Sequence, residues 1–347
     1  MPGTRVVVAM SGGVDSSTAA ALLHARGFQV VGVTLKLFDA SGTSASLGGR
    51  CCSPRDIEDA RATAAALGFP HYVLDETEAF GRAVIDDFVA EYRAARTPNP
   101  CVRCNARLKF GPLLRFARAV GATALATGHY ARRDGARLLR AEDREKDQSY
   151  FLFAVRPEWL QAVQFPLGSM RKGEVREAAR RFGLPNCDKP DSQQICFVPD
   201  GDHRGFLEAR GGAGPAGSVV DEGGRVLAAH AGTHHFTVGQ RRGLPAGAEK
   251  RFVVRIDPAT GTVFTGPRDQ LGRRVMSVED VRWLEAPGEE RVRAEVQIRH
   301  HAPARPAWLT VGEGVEVEFD EPAEGVAPGQ AAVFFRGEQV LGGGWIA

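Results

Sequence analysis

The sequence predicts an α/β protein: a doubly wound, mostly parallel sheet of Rossmann type over residues 1–200, a small central domain over 201–270 and a C-terminal β-barrel over 271–347. Three observations predict it. Strand-like and helix-like stretches alternate from residue 5 to about 130, the pattern that builds parallel sheets through crossover helices. A small-residue loop, "MSGGVDSS", follows the first strand-like run and opens the first helix-like one. Beyond residue 210 this character gives way to glycine turns and alternating strands.

Each element follows from its composition. "RVVVAM" is a short apolar run that reads as a buried strand, and "SSTAAALLHARG" has helical composition with Gly27 as its stop. "QVVGVTLKLF" reads as a strand, "PRDIEDARATAAALG" as a helix ending at Gly68, and "HYVL" as a strand. "EAFGRAVIDDFVAEYRAA" predicts one long amphipathic helix, "LKFGPLLRFARAVG" another, and "ATALATGHYA" a strand. The small, polar "DASGTSASLGG" from Asp39 to Gly49 reads as a loop over the carboxyl edge of the sheet, where such folds take ligands, or as a plain spacer. The helix "RKGEVREAARRFG" precedes "LPNCDKPDSQQICFVPDGD". The strands expected after it are "GSVVDEGGRVLA", "RFVVRIDPATGTVFTG", "RVRAEVQIRHH", "VEVEFDEP" and "AAVFFRGEQVLGGGWI".

A chain of 347 residues is too long for one comfortable core, which agrees with two or three domains. Its 43% apolar and 25% charged content is that of a globular protein. No apolar run approaches the roughly 20 residues that span a bilayer, and "MPGTRVVVAM" shows no signal or transit segment, so a cytoplasmic protein without membrane contact is expected. A net charge of +2 does not announce a nucleic-acid binder, although a basic stripe depends on distribution rather than on the sum. The six cysteines are Cys51, Cys52, Cys101, Cys104, Cys187 and Cys196. In a cytosolic chain they point to metal binding or catalysis before a disulfide framework.

The loop is suited to phosphate. Gly12 and Gly13 let backbone N–H groups approach an anion without Cβ interference, and Ser11, Ser16 and Ser17 add hydroxyl donors at a helix N-terminus. Asp15 suits either a Mg²⁺ ligand or a helix cap. The Gly-Lys-Ser/Thr ending of a γ-phosphate-gripping loop is absent, as is GxGxxG. The pattern resembles the PP-loop of ATP pyrophosphatases, adenylating enzymes that cut ATP between its α- and β-phosphates.

Five further motifs follow in order: "TPNPCVRCN", "ATGHYAR", "KDQSYFL", "KPDSQQICFVP" and "FTVGQRRGL". Together with the loop they are similar to the bacterial tRNA-specific 2-thiouridylase family. The resemblance implies ATP-dependent transfer of sulfur to the wobble uridine of lysine, glutamate and glutamine tRNAs, with Mg²⁺, and with sulfur supplied by a cysteine desulfurase or a sulfur relay protein. Carried over by position, it makes Cys196 the persulfide carrier and Cys104 the second catalytic cysteine. Ala9, Met10, Ser11, Gly12, Gly13, Val14, Asp15 and Ser16, with Leu35 and Gly128, match nucleotide-binding positions. Asn99, Pro100 and Cys101 would face the target base. Lys146, Asp147 and Gln148 match a tRNA-contacting segment, as do Arg299 and His300.

One position departs from the better-known members, which carry aspartate where this chain has Cys101. The change removes any carboxylate role there and creates a CxxC pair with a remote third cysteine, Cys196. Some related tRNA thiolases hold a 4Fe-4S cluster on such a set, and soft thiolates suit it. Cluster chemistry, metal-free persulfide chemistry and a structural zinc remain three readings of the same residues. Cys187 reads as packing, and Cys51 and Cys52 as shielding near the loop. His129 is balanced between substrate contact and packing. His230, His234 and His235 lack an acidic partner at metal-binding spacing and read as structural or tRNA-contacting. "GQRRG" and "RVRAEVQIRHHAPARP" offer phosphate contacts or a solvated strand face.

Overall fold

The computed structural model describes residues 3–38, 53–191, 195–198, 201–245 and 250–347. The Asp39–Gly49 loop, Cys51 and Cys52 lie outside the described residues. The chain forms two compact units, one of residues 1–84, 101–201 and 338–340, the other of 85–100, 202–337 and 341–347.

In the first unit, β1 (Arg5–Ala9), β2 (Gln29–Lys36), β3 (His71–Asp75), β4 (Ala124–Thr127) and β5 (Val163–Gln164) form a parallel sheet in the order β3-β2-β1-β4-β5. Its strands are continuous apolar runs because helices cover the sheet: Val6, Val8 and Met10 pack with Ala20, Leu23 and Ala60. Helix α1 (Val14–Ala25) is entered through extended Gly13 and is followed by Gly27 at φ +83°. Helix α2 (Pro54–Leu67) shows why its ends fall where they do. Ser53 and Asp56 form a reciprocal capping box, Pro54 takes the first turn, and Gly68 stops the helix at φ +78°. The strand order reverses between β1 and β4, so the loop after β1 lies at a topological switch point, where open α/β sheets bind ligands.

Two expected helices are not uniform. The one begun at Thr77–Phe80 changes to a π turn at Gly81–Ile85, and Asp86–Arg93 then belongs to the second unit. Before α3 (Phe110–Ala119), a helical turn at Pro100–Cys104 and a π turn at Asn105–Lys109 start well ahead of the expected Leu108. Pro112 lies inside α3 and supplies no N–H to the preceding turn, which accounts for the wider turn there. The hairpin Arg132–Asp134/Arg137–Leu139 and strand β5 carry too little periodicity to be read in the sequence. Helix α4 (Lys172–Arg181) is where "RKGEVREAARRFG" places it.

The second unit holds two sheets. β6 (Gly217–Val220), β7 (Val226–His230), β8 (Phe252–Asp257) and β9 (Thr262–Gly266) form a small sheet ordered β8-β9-β6-β7 over Val219, Phe236, Val253 and Val263. β10 (Gly272–Trp283), β11 (Arg291–Gln297), β12 (Arg305–Val311), β13 (Val315–Glu324), β14 (Ala331–Arg336) and β15 (Gln339–Ile346) close into an antiparallel barrel through β10–β15 pairing. Period-two patterning builds it. Val315, Val317 and Phe319 point into the core with Leu309 and Phe334, while Glu316, Glu318 and Asp320 face water.

Candidate functional site

The loop after β1 is shaped by contacts from far along the chain. Gly12 sits at φ +71°, and a Cβ on it would lie 2.1 Å from the carbonyl oxygen of Asp56, so only glycine fits. Gly128, just after β4, packs against the start of α1 so closely that a Cβ would stand 2.7 Å from the backbone nitrogen of Ser16. Gly13 differs. Its backbone is ordinary extended chain, and the nearest atom to an added Cβ is the Ser11 hydroxyl at 3.5 Å. Among the described residues nothing requires glycine there, whereas a phosphate seated on the loop would favour it. The Ser16 hydroxyl donates to the Gly13 carbonyl at 3.1 Å and accepts from the Ser11 N–H at 3.0 Å, which closes the turn.

Behind the loop, Asn186 and Lys189 both donate to the Gly12 carbonyl, at 3.0 and 3.1 Å. Because the peptide is planar and trans, anchoring that carbonyl turns the Gly13 N–H the opposite way. Lys189 also donates to Asp56 at 2.6 Å and Asp59 at 2.5 Å. Burial alone would lower the pKa of this ammonium, but its bonds to Asp56 and Asp59 outweigh burial and raise it.

In front of the loop, Asp15 neither caps α1 nor stands alone. Its carboxylate accepts from Lys172 Nζ at 2.7 and 2.8 Å and from the Tyr130 hydroxyl at 2.9 Å. Lys172 also reaches Asp191 at 2.7 Å, and Asp191 in turn takes Lys146 and Arg176, each at 2.9 Å. Burial would raise the Asp191 carboxyl, but the bonds from Lys172 and Lys146 hold it down at about 2. Burial and then the Asp15 charge push the Tyr130 phenol upward, so it stays a donor. Tyr130, Lys172, Asn186, Lys189 and Asp191 were not singled out in the sequence. Tyr130, Lys189 and Asp191 lie inside motifs that were read for their histidine and cysteine, and Lys172 inside a stretch read only as a helix.

Leu35 is buried on β2, in register with Leu74, beside Thr34, whose hydroxyl donates to the Met10 carbonyl at 2.7 Å. Ala9 ends β1 and Val14 begins α1. His129 follows Gly128; its Nδ1 bonds the Thr127 hydroxyl at 2.9 Å, and its ring lies near Phe110 and Phe165. Burial first, and the Lys109 charge second, push its pKa down to about 3, so the imidazole is neutral at ordinary pH.

The cysteines belong to the same unit as the loop. Cys101 is exposed and Cys104 buried within Pro100–Cys104, where the i, i+3 spacing puts both on one side of a helical turn. Asn105 fixes the next turn by donating to the Phe151 carbonyl at 3.1 Å. Cys196 is half-buried, and its neighbour Phe197 packs edge-on against Phe80 at 5.6 Å. Cys187 is partly buried against Val14, Ala179 and Leu184, a packing position.

Of the positions matched to tRNA contact, several are used internally. Asp147 accepts from Ala141 N at 3.0 Å and from Ser149 N and Oγ at 3.1 and 3.0 Å. Gln148 accepts from the Tyr130 N–H at 3.1 Å. Lys146 is the Asp191 partner already described. In the second unit, Asn99 is half-buried and Pro100 buried. Arg299 donates to the carbonyls of Val238 and Gly325 at 2.8 Å each, and the His300 ring packs on His301 at 4.2 Å.

Glu208, His234 and His235 come together within 4.8 Å, supplying the acidic partner that sequence spacing had not revealed. Both histidine Nε2 atoms lie 3.3 Å from the Glu208 carboxylate. His234 Nδ1 accepts from the Gly214 N–H at 3.3 Å, which places the proton of the neutral ring on Nε2. A metal-binding imidazole needs the reverse arrangement, its second nitrogen donating outward. The group is therefore a hydrogen-bonded cluster. His230 is also structural, bonding the Gly261 carbonyl at 2.8 Å through Nε2.

Among the described residues, no helix is long and apolar enough to cross a membrane. Residues 4–200 match the family described as tRNA methyl transferase HUP domain, 204–267 its PRC-barrel domain, and 273–346 the aminomethyltransferase beta-barrel domain. Among curated proteins, the tRNA-specific 2-thiouridylase MnmA of Acidithiobacillus ferrooxidans is 49% identical over 357 residues, covering 100% of this chain and 99% of that one. The protein of that name from Geobacter metallireducens is 51% identical over 354 residues, covering 99% and 96%. That from Parvibaculum lavamentivorans is 51% identical over 363 residues, covering 99% and 90%. With likeness of this extent along its whole length, the chain belongs to the tRNA-specific 2-thiouridylase family.

Proposed function

We propose that the protein converts the wobble uridine of lysine, glutamate and glutamine tRNAs to 2-thiouridine in the cytoplasm, spending ATP and taking sulfur from a cysteine desulfurase or a relay protein. One observation carries the reading: the phosphate-shaped loop, Cys104 and Cys196 all belong to one compact unit. The 2-oxygen of uridine leaves badly. Attack of that oxygen on the α-phosphate, with departure of pyrophosphate, makes it part of an AMP leaving group. The loop would seat the phosphates on backbone N–H groups at the N-terminus of α1. Asp15 and Asp191 are oxygen donors of the kind Mg²⁺ takes, and the ion would supply charge neutralisation for the departing pyrophosphate.

Sulfur delivery falls to the cysteines. The Cys104 thiolate attacks the Cys196 sulfur of a Cys196 persulfide, forming a Cys104–Cys196 disulfide and releasing hydrosulfide. Hydrosulfide attacks the activated carbon, and AMP leaves. An external dithiol then returns two electrons to the disulfide. Extruding the base from a single-stranded anticodon loop costs at most a few kcal/mol. Asn99, Pro100 and Cys101 are the proposed contacts for that base, and Lys146, Asp147, Gln148, Arg299 and His300 those for the tRNA body.

A second reading has its own motivation in Cys101 and Cys104 sharing one helical turn. There Cys101, Cys104 and Cys196 would hold a 4Fe-4S cluster, which when bound supplies an open iron for the sulfur being transferred. Anaerobic incubation with ATP, Mg²⁺, a sulfur source and glutamate tRNA tests the activity. Nucleoside mass spectrometry should find 2-thiouridine, and its absence with every sulfur source, reconstituted cluster included, rejects the proposal. Iron and acid-labile sulfide measured beside Cys101→Asp separates the two readings.

A further inference from the structure

We propose that Lys172 grips the β- and γ-phosphates of ATP, leaving the Asp15 carboxylate as the nucleotide enters the loop. The inference rests on the ATP-dependent reading above and assigns a residue to it. The segment Ser11–Ser17 contains no lysine or arginine, yet a triphosphate brings several negative charges to it. Lys189 and Lys172 both reach this loop, and their surroundings decide which can move.

Lys189 is fixed. It bonds Gly12, Asp56 and Asp59, and Asp56 is only 2% exposed, with its other oxygen held by Ser53. Withdrawing Lys189 would strand a carboxylate in the interior, a costly change. Lys172 is replaceable. If it leaves, Asp15 keeps the Tyr130 hydroxyl at 2.9 Å, and Asp191 keeps Lys146 and Arg176 at 2.9 Å each. The Asp15 side chain is 30% exposed, so solvent and ligand reach this pair from outside. Asp15 is also the second residue of α1, whose N-terminal N–H groups favour phosphate. A lysine carries its charge on a flexible four-carbon stem, so it can change partner without backbone movement. The exchange is one of hydrogen bonds, carboxylate oxygen for phosphate oxygen, with no covalent change.

Titration calorimetry on the full chain with Mg–ATP, AMP and inorganic pyrophosphate tests this. Lys172→Met should weaken ATP and pyrophosphate about tenfold or more while AMP stays within about threefold, and Lys172→Arg should recover most of the loss. Asp15→Asn gives an independent arm, and it decides if Lys172→Met does not fold. With chelator present, removing the competing carboxylate should make pyrophosphate bind about threefold to tenfold more tightly than in the unsubstituted protein. Pyrophosphate affinity unchanged in Lys172→Met, AMP weakened as much as ATP, or no tightening in Asp15→Asn would each overturn the assignment. An unsubstituted protein that binds neither ATP nor pyrophosphate would overturn the ATP-dependent reading as well.

Discussion

Lys189 Nζ donates to the carbonyl oxygen of Gly12 at 3.1 Å, bridging 177 positions of sequence. A single ammonium thereby fixes the peptide that aims the loop and neutralises the buried Asp56 that caps α2. Through this contact and that of Asn186, residues 186–189 are tied to the loop after β1.

Removing that ammonium should be expensive. Lys189→Met leaves Asp56 buried without its cation, and a loss of about 3–5 kcal/mol is expected. Urea denaturation measures it, with Lys189→Arg recovering part. A loss under about 1 kcal/mol would mean the network does not hold the loop.

The two adjacent glycines should behave differently. Gly12→Ala meets the Asp56 backbone at φ +71° and should destabilise the fold by more than about 1 kcal/mol. Gly13→Ala brings its Cβ to 3.5 Å from the Ser11 hydroxyl, the nearest atom among the described residues, and should keep stability within about 0.5 kcal/mol. Its cost should appear in ATP affinity, about tenfold or more by calorimetry. Equal effects of both on melting, with ATP binding intact in Gly13→Ala, contradict this account.

Acid should weaken the first unit in a defined window. Unfolded His129 takes a proton near 6.5, but folded His129 only near 3, so between these values the unfolded state binds more protons. The contribution is complete above 6.5 and falls as pH is lowered toward 3. Asp191 adds a second window, its contribution present above 3.8 and lost as pH falls toward 2. Between pH 7 and 5, urea denaturation should show a larger loss for the unsubstituted protein than for His129→Gln. Parallel losses would show that the imidazole is not held neutral.

Cysteine substitutions should separate binding from sulfur chemistry. Cys104→Ser and Cys196→Ser should each lower thiolation about a hundredfold or more while ATP binding stays within about twofold. Cys101→Asp should keep activity if the persulfide route operates, and lose it together with bound iron if three thiolates hold a cluster. ATP binding lost in either serine variant would place that cysteine in the fold of the loop rather than in the chemistry.

Much of this was legible from residues alone because it is written in local pattern. The apolar run Arg5–Ala9, the small-residue loop and the terminating Gly27 and Gly68 each act over a few residues. Barrel strands such as Val315–Glu324 announce themselves by alternation, since a pleated strand sends successive side chains to opposite faces. The π turn ahead of Pro112 was not legible, because it answers a missing N–H several residues away. Glu208 meeting His234 and His235 was equally hidden, the acid lying 26 residues before the first of them.

The sequence by itself therefore determined the fold class, the phosphate loop and the ordered motifs that mark the family, all of which depend on residue type at short spacing. Only the tertiary structure decided what those residues touch. It gave Asp15 to Lys172 and Tyr130, gave the Gly12 carbonyl to Asn186 and Lys189, and set Gly13 beside the Ser11 hydroxyl with room for a Cβ. The physical reason is that a charge or a carbonyl takes its partner from whatever the packed chain brings within about 3 Å, and sequence separation has no part in that distance.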